Sequence, residues 1–197
     1  MMKTALTLLL LLLASSPAVA FDANQTFAKG NTVLSVEAGG GSQSNLEGHF
    51  NQSEIDLFYV GARYSLLPFD PVGPSILRGS LELGLEPIYQ QYTSPKTAYY
   101  AGLMAQGRWH FLSLGRFVPY FEGGAAAGGT NLRVLEIDSS FAFLLNFGGG
   151  ASFFINDRTA IYAGYRLVHV SNGNTDTPNR GFEAHTGVLG VSYYFGK

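Results

Sequence analysis

The chain has 197 residues, with 12 Lys or Arg against 14 Asp or Glu and a formal net charge of −2. Charged residues make up only 13%, whereas 46% are apolar, 14% are aromatic and 25 are glycines, which excludes disorder and leaves no basic footprint for nucleic acid. With no cysteine, a disulfide scaffold, a thiolate metal site and a cysteine nucleophile are also excluded, and a charge-poor single domain suited to a membrane remains.

The first residues read as a targeting segment. Lys3 supplies a positive charge, an apolar run follows from Leu6 to Ala14, and Ala18-Val19-Ala20 offers the small residues of a cleavage site. The run is shorter than the roughly 20 residues of a spanning helix. Residues 1–20 are therefore expected to be a signal peptide and residues 21–197 the mature domain. The polar segment from Asp22 to Asn31 carries no assignable role.

From there the signal is alternation. Starting at Ile76, even positions read Ile76, Arg78, Ser80, Glu82, Gly84 and Glu86, while the odd positions after Leu77 are Gly79, Leu81, Leu83 and Leu85. Residues 97–111 repeat the pattern, with Tyr99, Ala101, Leu103 and Trp109 opposing Gln106, Arg108 and His110. A period of two belongs to a strand, not to a helix of period 3.6. Strands are predicted near 32–41, 55–66, 76–90, 97–112, 118–129, 140–154, 159–170 and 181–195. Eight is an even number, and each strand is long enough to cross a tilted bilayer path.

The expected fold is all-β: an eight-stranded antiparallel transmembrane β-barrel of the bacterial outer membrane. With both termini periplasmic, the connections near 42–54, 91–96, 130–139 and 171–180 are extracellular. The inward face would hold Arg63, Arg78, Arg108 and Arg166 with Glu37, Glu82, Glu86 and Glu122, which can pair in a lumen too narrow for a channel. At the end of the chain Leu189, Val191, Tyr193 and Phe195 face outward, with Gly196 and Lys197 following.

The outward face of the seventh strand departs from this apolar rule at its extracellular end. Ile161, Ala163, Tyr165 and Leu167 lead to His169 and then Ser171. Same-face neighbours are about 7 Å apart at the backbone, within reach of an imidazole and a hydroxyl. On the antiparallel eighth strand, Glu183 shares the outward face with Leu189 and can lie beside His169. A histidine can take a serine's proton, and a carboxylate on its far nitrogen can fix the tautomer and stabilise the imidazolium. Asn172, Asn179 and the backbone amides around Gly173 could bind a developing oxyanion. His185 could compete for Glu183 but stands farther from Ser171. No G-x-S-x-G elbow occurs, and the scattered histidines His49 and His110 suggest no metal site.

The stretch His169-Val170-Ser171-Asn172-Gly173, followed by Pro178-Asn179-Arg180-Gly181-Phe182-Glu183, resembles the signature of the lipid A 3-O-deacylase (PagL) family. The resemblance implies an eight-stranded outer-membrane hydrolase without a cofactor. Its substrate would be lipid A of lipopolysaccharide in the outer leaflet, losing the 3-hydroxyacyl chain esterified at the 3-position. It implies that His169 is the base, Ser171 the nucleophile and Glu183 the supporting acid. Asn172 matches the asparagine after the serine, and Asn179 the one associated with the oxyanion hole. Two alternatives stay open: a non-enzymatic barrel for surface binding or membrane integrity, and an acyltransferase passing the chain to a second lipid.

Overall fold

A computed structural model describes residues 21–46, 48 and 51–196. The expected signal peptide over 1–20, and His49, lie outside the described residues. A short helix, α1 (Ala23–Thr26), precedes eight strands: β1 (Thr32–Gln43), β2 (Asp56–Leu66), β3 (Gly79–Ser94), β4 (Ala98–Phe111), β5 (Phe117–Thr130), β6 (Phe141–Phe154), β7 (Thr159–Ser171) and β8 (Phe182–Phe195). Each strand pairs antiparallel with the next, and β8 returns to β1, so the barrel closes. Closure leaves no unpaired edge in the hydrocarbon, which a membrane-crossing sheet requires.

The two faces separate as the alternation predicts. Leu34, Val36, Val60, Leu83, Leu85, Leu103, Phe121, Leu145, Ile161 and Leu189 are exposed on the outer wall. Exposed aromatics gather toward both ends, Phe58, Tyr89, Tyr99, Phe141 and Phe143 above and Phe117, Phe153, Tyr193 and Phe195 below. This is an apolar band between aromatic girdles, the surface of an outer-membrane barrel.

Inside, the charges form one connected network. Arg166 donates to Glu37 and, at 2.7 Å through Nε, to Glu122 Oε1. Arg108 donates to Glu122 Oε2 at 3.0 and 2.8 Å, with its guanidinium 4.1 Å from the Tyr120 ring centre. Arg63 reaches Glu82 at 3.3 Å and Glu86 at 3.1 Å, and His110 Nε2 lies 2.7 Å from Glu82 Oε2. Apolar clusters seal the ends: Ile55, Tyr92, Tyr100, Leu132, Ile137 and Phe182 above, and Val33, Leu67, Val118, Phe154 and Tyr194 below. The lumen is thus a packed core and not a channel.

Arg78, expected to point into the lumen, does not. β3 begins at Gly79, not near 76, and residues 75–77 form a 3-10 turn whose Ile76 and Leu77 are exposed. Pro71 and Pro74 lack the N–H a ladder needs, and Gly73 adopts a φ of +98° that turns the chain away. Arg78 donates instead to the Asn24 side chain at the periplasmic end. The lumen therefore holds three of the four expected arginines and all four glutamates. At its other end β3 runs on to Ser94, shrinking the second extracellular loop to residues 95–97.

The segment without an assigned role closes the barrel from below. Asp22 caps α1, accepting from the Asn24 and Gln25 amides at 2.9 and 3.2 Å. Phe27 is fully buried against His110, Phe154 and Tyr194, with ring centres 4.8, 5.6 and 5.2 Å away. The long 67–78 turn holds this segment in place: Leu67 exchanges backbone hydrogen bonds with Gly30 and Asn31, and Asp70 accepts from the Lys29 amide at 2.9 Å.

Candidate active site

The register of β7 and β8 puts His169 directly opposite Glu183, with Val170 opposite Phe182. Both polar residues point outward, and their side chains meet: His169 Nδ1 lies 2.8 Å from Glu183 Oε1. The histidine side chain is 37% exposed and the glutamate side chain 20%, so the pair sits in the wall's outer surface near its upper rim. A carboxylate on Nδ1 selects the tautomer that leaves Nε2 as the base.

Glu183 is itself anchored by the first extracellular loop. Its Oε2 accepts from the Leu46 amide at 3.2 Å, its amide donates to Asn45 Oδ1 at 3.0 Å, and its carbonyl accepts from Ser44 at 2.9 Å. These loop partners carry no periodic signature and are invisible in the sequence.

Ser171 ends β7 on the same outward face, two residues beyond His169 and opposite Phe143 of β6. Among the described residues no hydrogen bond joins Ser171 to His169. Such bonds are often loose without substrate and tighten when it binds. The ring extends toward the Ser171 end of the strand pair. Continuing the β7–β8 register by one step sets Gly181 across from Ser171, and the imidazole lies over Gly181. A Cβ there would come within 3.0 Å of His169 Cε1 and 3.4 Å of Nε2. Gly181 also adopts a φ of +70°, which disfavours a side chain. Gly181→Ala should therefore displace the ring, and the His169 ring resonances in micelles should shift. Unshifted resonances would show that the ring does not need this space.

The loop from 172 to 181 is built by its asparagines. Asn172 is fully buried: its Nδ2 donates to the Asp176 and Pro178 carbonyls at 3.1 and 3.3 Å, and its Oδ1 accepts from the Asn174 amide at 3.0 Å. Its own amide donates to Asn179 Oδ1 at 2.7 Å, while Asn179 Nδ2 donates to Asn174 Oδ1 at 2.9 Å. The Asn172 side chain thus faces the loop interior, away from the Ser171 side. Gly173 and Asn174 turn the chain with φ of +65° and +61°. His185 is exposed and hydrogen-bonds through Nδ1 to the Tyr165 hydroxyl, leaving Glu183 to His169. His110 is buried in the lumen, remote from the outer face.

Sequence reading overlooks Glu136. It lies in the third extracellular loop with no exposed surface, joined to Arg180 at 3.0 Å. Burial pushes its carboxyl upward, but hydrogen bonds from Ser53 and Gln43 outweigh this and hold it below the ordinary glutamate range. Its stabilising effect is then complete above that ordinary range and is lost as pH falls through the lowered value. The one visible hint is a lone acid in the apolar run Val134-Leu135-Glu136-Ile137.

A closed barrel with an apolar outer wall, a charged interior and an outward-facing polar cluster at one rim defines an outer-membrane barrel protein. The family model for lipid A 3-O-deacylase (PagL) matches residues 58–192, and the chain belongs to that family. Among solved structures it is similar to the outer membrane enzyme PagL, at 16% identity and a TM-score of 0.63, over 79% of this chain and 97% of that one. It is also similar to Neisserial surface protein A (NspA), at 16% identity and a TM-score of 0.56, over 85% of this chain and all of that one (100%). These two likenesses bear on the fold alone. No curated protein matches the chain.

Proposed function

We propose that this barrel is a lipid A 3-O-deacylase, a serine esterase acting in the outer leaflet. The observation that carries the reading is the 2.8 Å contact between His169 and Glu183 on the lipid-facing wall, with Ser171 two residues along the same face. Charged and polar groups are costly on that surface, and their concentration at one rim calls for a function. Membership of the deacylase family supplies the substrate class.

In this mechanism Ser171 Oγ attacks the ester carbonyl of the 3-hydroxyacyl chain while its proton passes to His169 Nε2. Glu183 accepts the Nδ1 hydrogen and stabilises the imidazolium that forms. The oxyanion is held by the Gly173 amide and by the second hydrogen of Asn179 Nδ2, whose first goes to Asn174. Asn172 contributes by shaping the loop that presents these donors. His169 returns its proton to the departing sugar oxygen. Water then attacks the acyl-serine with His169 as base, releasing a 3-hydroxy fatty acid. Phe141, Phe143 and Leu145 on neighbouring β6 offer an apolar track beside Ser171 and His169 for the chain.

Incubation of the purified, refolded barrel with lipid A in detergent tests the reaction type. Hydrolysis predicts free 3-hydroxy fatty acid and a lipid lacking one such chain. Transfer would leave the missing chain on a second lipid. Unaltered lipid A with a folded barrel would favour a non-enzymatic surface protein.

A further inference from the structure

Glu136 makes an unusual set of contacts for a loop carboxylate. Its Oε1 accepts from Gln43 Nε2, the Ser53 amide and Arg180 Nη2, each at 3.0 Å, and its Oε2 accepts from Ser53 Oγ at 2.6 Å. Its own carbonyl accepts from the Gly181 amide at 3.0 Å. The donors come from the end of β1, from the loop between β1 and β2, and from the junction leading into β8. One buried carboxylate therefore joins its own loop to the β1–β2 connection and to the start of β8, which are far from it in sequence.

The junction it holds is the one beneath the histidine. Gly181, bonded to the Glu136 carbonyl, underlies His169 Cε1 and Nε2, and Arg180 immediately precedes it. Next to Glu136, Ile137 forms a bridge with Asn179, whose Oδ1 receives the amide of Asn172, the residue after Ser171. The same loop thus fixes both the floor under the imidazole and the chain that leaves the serine. Only the carboxylate is buried, the Arg180 side chain being 33% exposed, so the contacts of Glu136 matter here for the geometry they fix more than for the stability of an ion pair.

We propose that Glu136 is a positioning residue that sets His169 and the loop following Ser171 for ester hydrolysis. The inference rests on the deacylase reading of the same site. It predicts that disturbing Glu136 changes the chemistry of each folded molecule and not only the number of folded molecules.

Glu136→Gln keeps the side-chain volume but removes the charge and one acceptor. In refolded barrel, with folding checked by the heat-dependent shift on a gel, kcat should fall about 10- to 100-fold while KM changes little, as for a misplaced catalytic group. Labelling of Ser171 by a fluorophosphonate should slow in parallel, and the His169 ring resonances in micelles should shift. Asp138→Asn, which removes an exposed ion pair with Arg133 in the same loop, should leave all three unchanged. If Glu136→Gln fails to fold, Arg180→Gln and Ser53→Ala each remove one partner and should move the same quantities in the same direction. A wild-type kcat and unshifted His169 resonances in the folded variants would overturn the proposal. If the wild type itself leaves lipid A intact, the deacylase reading falls. The His169 resonances then decide the positioning role: a shift supports it and no shift overturns it.

Discussion

Replacing His169 with Ala should lower the rate of lipid A deacylation by about 10⁶-fold while the barrel remains folded, the scale seen when a catalytic base is removed from a serine triad. Without the imidazole, Ser171 keeps its proton during attack and the leaving oxygen receives none. The barrel should be indifferent to the change, because the His169 side chain is 37% exposed and takes no part in the sealed lumen. Glu183→Gln should cost less than His169→Ala, yet still on the order of 10⁴-fold, because an amide can hold the ring in the wrong tautomer. Single-turnover assays on refolded protein measure both. A His169→Ala variant within tenfold of wild type would remove the histidine from the mechanism.

The second large effect concerns stability. Arg166→Ala should destabilise the barrel by about 3–5 kcal/mol, the usual cost of stripping one partner from a buried charge network. Arg166 is 1% exposed and bridges Glu37 and Glu122, so its loss leaves two carboxylates facing each other in a closed lumen. Arg108 still neutralises Glu122 and Arg63 approaches Glu37 at 3.6 Å, so the effect should stop short of abolishing the fold. Urea unfolding in vesicles reads the difference. A change under about 1 kcal/mol would mean that water enters the lumen and solvates the exposed acids.

The barrel and its histidine–glutamate pair were legible because both follow from arithmetic on a strand. Alternation places every second residue on one wall, and antiparallel pairing keeps the sum of paired residue numbers constant. His169 and Glu183 therefore meet once the hairpin is placed. The same arithmetic misled at Arg78, where Ile76 and Leu77 continue the pattern by composition alone while Pro74 and Gly73 keep residues 73–77 out of the ladder. Phe27 was illegible for another reason: a single aromatic in a polar segment has no period, and its burial depends on the barrel mouth it fills. Glu136 shows the same limit. Its partners Gln43, Ser53 and Arg180 stand 93, 83 and 44 positions away, and no local pattern encodes contacts between loops. The asparagines divide similarly. Nearness to the serine made Asn172 and Asn179 candidates for an oxyanion site, but only the folded loop shows the Asn172 amide turned inward.

On the proposed reading, a polar cluster on an otherwise apolar wall makes this outer-membrane barrel a lipid A hydrolase. The most direct test is the mass profile of lipid A from a bacterium with unmodified lipid A, expressing either the wild-type protein or Ser171→Ala at equal folded amounts in the outer membrane. Loss of one 3-hydroxyacyl mass is expected with the wild type, and an unaltered profile with the variant. The same loss with Ser171→Ala, or an unaltered profile with well-folded wild type, would contradict that reading.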